Sequence, residues 1–120
     1  MRKTVATLVA AAISSAFAQG AARTERWVTV VSITSPVSPG GVVSLVVRSE
    51  PGATCSGGRQ THFSDAFTKE LPTKTVGADG LVRWKWHVMP GAHPIGDRRA
   101  RVTCSIGERS QAVEAVFSVQ

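Results

Sequence analysis

The stretch that most constrains this 120-residue chain is 81–88, Leu-Val-Arg-Trp-Lys-Trp-His-Val, which follows directly on Asp79-Gly80. Val82, Trp84, Trp86 and Val88 occupy alternate positions, and Leu81, Arg83, Lys85 and His87 occupy the positions between them. A helix would mix the two sets around its circumference, whereas a strand puts them on opposite faces. Asp-Gly accepts the positive φ of a tight turn, so the strand begins at residue 81. Burying two Trp and two Val on one face is worth several kcal/mol at about 25 cal/mol per Å². A strand of this kind needs a second apolar surface to cover it, and Trp84 and Trp86 are expected at the centre of the resulting core.

The same period of two recurs along the chain. The run 27–33 puts Trp27, Thr29, Val31 and Ile33 on one side, and Pro36, Pro39, Gly40 and Gly41 break it. In 42–48 the apolar face is Val43, Leu45 and Val47, and Pro51-Gly52 ends that strand. The run 99–106 directs Ala100, Val102, Cys104 and Ile106 inward and Arg99, Arg101, Thr103 and Ser105 outward. The run 112–119 directs Val113, Ala115, Phe117 and Val119 inward. The middle of the chain is less regular, with strands expected at 60–64 and 71–76, and 90–96 reads as a loop rich in Pro and Gly. Between Trp27 and Gln120 no stretch combines a sustained 3.6-residue apolar period with helix caps. The expected fold class is all-β, an antiparallel β-sandwich of about seven short strands. A composition of 42% hydrophobic and 18% charged residues is that of an ordinary globular domain.

The N-terminus has a different character. Arg2 and Lys3 precede an apolar run over residues 5–13, and Ala16-Phe17-Ala18 places small residues where a signal peptidase reads them. This is the layout of a secretory signal, and its apolar run is too short to span a bilayer. The expected organisation is a signal peptide over residues 1–18, with cleavage after Ala18 or alternatively near Ala22. A flexible segment over 19–26 and one domain over 27–120 would follow. The product would be secreted or periplasmic, with no transmembrane segment in the mature chain. Removing Arg2 and Lys3 from the formal charge of +6 leaves +4, a mildly basic domain.

Export bears on the two cysteines, Cys55 and Cys104, because disulfides persist outside the cytoplasm. Two cysteines allow one intramolecular pairing, which encloses 49 residues by subtraction. The other reading, a redox-active or metal-binding pair, lacks the close Cys-x-x-Cys spacing that lowers a thiol pKa.

Ser38-Pro39-Gly40-Gly41 before a Val-rich strand, Pro51-Gly52-Ala53-Thr54-Cys55, Trp84-Lys85-Trp86 and Val102-Thr103-Cys104 together form a pattern. Over residues 34–120 it resembles bacterial secreted immunoglobulin-like domains. The resemblance implies an immunoglobulin-like sandwich with a Cys55–Cys104 bridge, and it implies no catalytic residues. Fold alone does not give function.

The residues offer little chemistry. No nucleophile elbow, oxyanion motif or paired-carboxylate signature is present, so an enzyme is not expected and no cofactor is implied. The histidines are His62, His87 and His93. His87 and His93 with Asp97, or His62 with Asp65, could meet at a metal, but neither spacing matches a ligand motif. Gly40-Gly41 and Gly57-Gly58 lack the flanking Lys and helix of a phosphate loop. The basic residues form two groups, Arg83, Lys85 and His87 on one outward face, and Arg98, Arg99 and Arg101 at one strand start. Together they make a candidate basic surface for a polyanion, or the ordinary solvated faces of strands that block edge pairing. Trp27 either plugs the end of the sandwich, the favoured reading, or belongs to a contact surface, and Phe67 is a further candidate for such a surface. The expected function is an exported non-enzymatic binding or structural module acting through surface contacts. Its partner would be a protein or an envelope glycan and not nucleic acid. The alternatives are an inhibitor or chaperone-like factor for an exported enzyme or subunit, and a periplasmic metal-binding protein.

Overall fold

The computed structural model describes residues 25–61, 66–90 and 95–120. The signal segment lies outside the described residues, as do His62, Phe63, Asp65 and His93. The described chain forms seven strands: β1 Thr29–Ile33, β2 Val42–Arg48, β3 Thr54–Arg59, β4 Lys69–Thr75, β5 Leu81–His87, β6 Gly96–Ile106 and β7 Arg109–Val119. They form two antiparallel sheets, ordered β1-β2-β5 and β4-β3-β6-β7. This is the strand order of an immunoglobulin-type sandwich whose fourth strand has joined the second sheet.

The expected alternation on β5 holds. Val82, Trp84, Trp86 and Val88 are buried, with Trp84 2% and Trp86 7% exposed, while Arg83, Lys85 and His87 are exposed. On β2 the buried set is Val43, Leu45 and Val47, in register with Trp86, Trp84 and Val82 of β5. The second sheet covers this surface with Cys55, Leu71, Ala100, Val102, Cys104 and Phe117. Phe117 meets the Trp86 ring edge-on, with centroids 5.6 Å apart. The buried Trp84 indole N–H donates to the Pro72 carbonyl at 2.9 Å, which ties β5 to β4 of the opposite sheet.

Three expectations need correction. β1 is shorter than the run 27–33 and its phase is reversed. A bulge between Val30 and Ser32 shifts the register against β2, so Val28 and Val30 turn inward while Thr29 and Val31 are exposed. The extra residue of a bulge exchanges the two faces of a strand from that point on. Ile33, beyond the bulge, packs against the core as expected. The strand expected at 60–64 is absent at Gln60 and Thr61, its other positions lying outside the described residues. In its place β3 starts at Thr54, and β4 starts at Lys69, two residues before the strand expected at 71–76.

The reason β3 escapes notice is Gly57-Gly58. A Cβ on Gly57 would lie 1.9 Å from the Arg101 carbonyl oxygen, so the closeness of β3 to β6 demands a residue without one. The strand is therefore built from residues that carry no strand signature. Gly80, by contrast, plays the expected turn role, with φ of 77° just before β5.

Cys55 and Cys104 are bonded, and they face each other directly in the β3–β6 register with Cα atoms 4.0 Å apart. The bridge thus joins neighbouring strands of one sheet and does not cross the core. The sheets are linked in another way, by the start of the chain. The Trp27 N–H donates to Gln111 Oε1 at 3.0 Å, Gln111 Nε2 donates to the Glu25 carbonyl at 2.6 Å, and β1 then enters the first sheet. After β1 the chain returns to the second sheet, where Val37 makes a parallel bridge to Val119.

Candidate functional site

The basic residues singled out in the sequence are divided among three places. Arg83, Lys85 and His87 lie on the outward face of β5, where Val46, Ser44 and Val42 of β2 are their cross-strand neighbours. Arg48 shares this face opposite Leu81. The strand residues of this outward face, β1 included, contain no carboxylate. Asp79 in the preceding turn reaches Arg83 at 3.4 Å, and its pKa is lowered chiefly by the Leu81 N–H that it accepts.

Arg99 and Arg101 lie on the outward face of β6, on the opposite side of the sandwich. Glu114 of β7 is the register partner of Arg101 and approaches Arg99 at 3.9 Å, so an acid already stands within this group. The two expected stripes are on different sheets and do not merge.

Arg98 does not belong to the basic surface. It has the parity of Ala100, Val102 and Cys104, points inward and is 9% exposed. Counting it with Arg99 and Arg101 follows the rule that charges face water, which strand parity overrides here. Arg59 is inward as well, since it pairs across the sheet with Ala100 on one side and with Lys69 on the other. Arg59, Lys69 and Arg98 therefore converge from three adjacent strands at one end of the sandwich. They line a cleft of about 460 Å³ whose apolar wall is formed by Trp86, Met89 and Phe117.

The cleft gathers positive charge. The Arg59 guanidinium lies over the Trp86 ring, 5.3 Å from its centroid. Its pKa is pushed down by burial first and by the neighbouring Arg98 charge second, and burial pushes Arg98 down as well. The described lining contains no carboxylate. Trp86 Nε1 is buried and has no hydrogen-bond partner among the described residues. Gln60, also at the cleft, is fixed by accepting the Arg99 N–H on its Oε1 at 2.9 Å. Strand parity could have found Arg98 in the sequence. Nothing in the sequence could have found Arg59, because its strand was not legible.

The remaining candidates fall elsewhere. Trp27 is half-buried against the core, with the Arg109 guanidinium 4.9 Å from its ring centroid. Arg109 in turn holds Glu50 at 2.6 Å, and that hydrogen bond keeps the Glu50 carboxyl below the usual glutamate range. Phe67 lies against the backbone of Gly58, where an added Cβ would come within 3.0 Å of it. Among the described residues no three of His, Cys, Asp and Glu come together as a metal would require. Asp97 follows the outward parity of β6 while His87 is outward on β5, so the sandwich separates them. No described helix is long and apolar enough to cross a membrane. Compared with family models, with characterised proteins and with solved structures, the chain matches none of them.

Proposed function

We propose that this chain is an exported, non-enzymatic binding module that engages an acidic partner, a protein or an envelope glycan, through the outward face of its first sheet. The observation that carries this reading is the grouping of Arg48, Arg83, Lys85 and His87 on strands whose outward residues include no acid. Charge of one sign on a firm sheet attracts and orients an oppositely charged surface, and salt weakens that attraction. The buried disulfide is of the kind that persists outside the cytoplasm.

The test is chromatography of the mature protein on an immobilised uronate polymer. The triple variant Arg48→Gln, Arg83→Gln, Lys85→Gln should elute at much lower salt than the parent. The double variant Arg99→Gln, Arg101→Gln should stay close to it. Equal losses in both variants would reduce the interaction to net charge, and passage of the parent protein straight through at low salt would refute the reading.

A second reading, an inhibitor or chaperone-like factor that binds by strand addition, rests on the edge of β7. Among the described residues that edge is bonded to Val37 near its end and to the Arg26 side chain at Ala112. The backbone between these points is where a partner's strand would add.

A further inference from the structure

The inward cleft lies on the other side of β5 from Arg83 and Lys85, with His87 at its border, and its chemistry points to a different kind of ligand. A sandwich interior ordinarily closes with apolar side chains, and like charges on cross-strand neighbours disfavour a sheet. Here Arg59 and Lys69 are direct cross-strand neighbours on the inward face, with Arg98 diagonally beyond. Arg59 has no carboxylate partner among the described residues, and the charge next to it is another guanidinium. What holds Arg59 in place is the Trp86 ring beneath it.

A planar guanidinium already oriented on an aromatic face is suited to bidentate capture of a planar oxyanion. Lys69 supplies a second, more mobile charge at the exposed side. The rest of the wall, Trp86, Met89 and Phe117, is apolar, and Met89 is 67% exposed. A volume of about 460 Å³ falls in the range of small-molecule sites and is too small for a folded partner. We propose that this cleft binds a small organic anion, with its carboxylate on Arg59 and Lys69 and its apolar body against Trp86 and Met89. The charge such a ligand brings would pair with Arg59, which has no carboxylate partner among the described residues.

The experiment uses 1-naphthoate as the probe and 1-naphthalenemethanol as its uncharged counterpart, titrated into the mature protein by calorimetry. Binding is mapped by amide and indole NMR shifts. The expected result is saturable binding of the carboxylate, at least about tenfold tighter than the alcohol, with the largest shifts at Trp86 and Arg59. Arg59→Gln and Lys69→Gln should each weaken naphthoate binding about tenfold or more. Lys69 is exposed, so its variant keeps the test valid even if Arg59→Gln does not fold. Lys85→Gln, on the outward face, should leave naphthoate binding unchanged, which separates failure of this site from failure of the outward-face reading. Equal binding of acid and alcohol, shifts centred on the outward face, or full affinity in Lys69→Gln would each overturn the proposal.

Discussion

Reduction of the Cys55–Cys104 bridge should lower the melting temperature by about 20 °C. The bridge closes a loop across a sequence separation of 49, for which the chain-entropy relation gives about 4 kcal/mol at 25 °C. A domain of this size loses about 4–8 °C for each kcal/mol at its melting point, which sets the lower part of the expected range at about 16 °C. The folded state should hardly notice the change. The two half-cystines are register partners on strands that remain paired, and both are fully buried. The effect therefore resides in the unfolded chain, which regains the freedom that the bridge removes. Burial also means that the reagent must reach an open state, so the protein is reduced in denaturant and refolded with reductant present. Loss of the bond is verified by a mass gain of two hydrogens, and melting is followed by circular dichroism and tryptophan fluorescence. Verified reduced protein that melts within a few degrees of the oxidised form would refute the reasoning. Such a result would mean that the ladder between β3 and β6 already restricts the denatured ensemble.

Trp84→Ala should cost about 3–5 kcal/mol or prevent folding, since it empties the centre of the core and removes the bond to Pro72. A soluble variant with an unchanged denaturant midpoint would contradict that placement. Gly57→Ala should destabilise by about 1–3 kcal/mol or more, because its Cβ would meet backbone and not a movable side chain. Urea unfolding measures this, and a neutral outcome would show that β3 and β6 can separate without loss. The carboxyls of Glu50 and Asp79 titrate below their ordinary values of 4.5 and 3.8, held there chiefly by Arg109 and by the Leu81 N–H respectively. Groups with a depressed folded pKa stabilise above the unfolded value and lose that contribution as pH falls through the folded one. Melting temperature should thus decline on acidification below about pH 4.5, and less steeply in Glu50→Gln and Asp79→Asn. Identical slopes in parent and variants would rule out both pairs as the source.

The strands that were legible in the sequence are those in which burial alone selects the residues. On β5 and β2, alternate positions face a tryptophan-rich core, and period two follows directly. Legibility fails where a different constraint acts. β1 has strand-forming residues throughout, but its bulge reverses the phase, and nothing local in Val30-Val31-Ser32 announces an extra residue. At β3 the constraint is the space between backbones, so glycine stands where a valine would have signalled a strand. The cleft was hidden for a third reason. A charge on an inward position contradicts the premise by which faces are assigned, so Arg98 reads as one of a basic group with Arg99 and Arg101 although its parity matches Ala100. The inward arginines are therefore the point at which local pattern and global fold disagree, and such disagreement is characteristic of binding sites.

The bridge has a mechanical consequence. Because it lies within one sheet and ties residue 55 to residue 104, everything between them is shielded from tension applied at the ends. A pull on Trp27 and Gln120 would load the Trp27–Gln111 hydrogen bond at one end and the parallel bridge between Val37 and Val119 at the other. Beyond that point only the two outer arms could lengthen, roughly 44 residues or about 150 Å, against more than about 300 Å for the unbridged chain. The strands β4 and β5, the Trp84–Trp86 segment and the Arg59 side of the cleft lie inside the closed loop. They would keep their chain connectivity intact while the first and last strands were drawn away. A domain built in this way has a covalently fixed limit to its extension, set by the position of two cysteines.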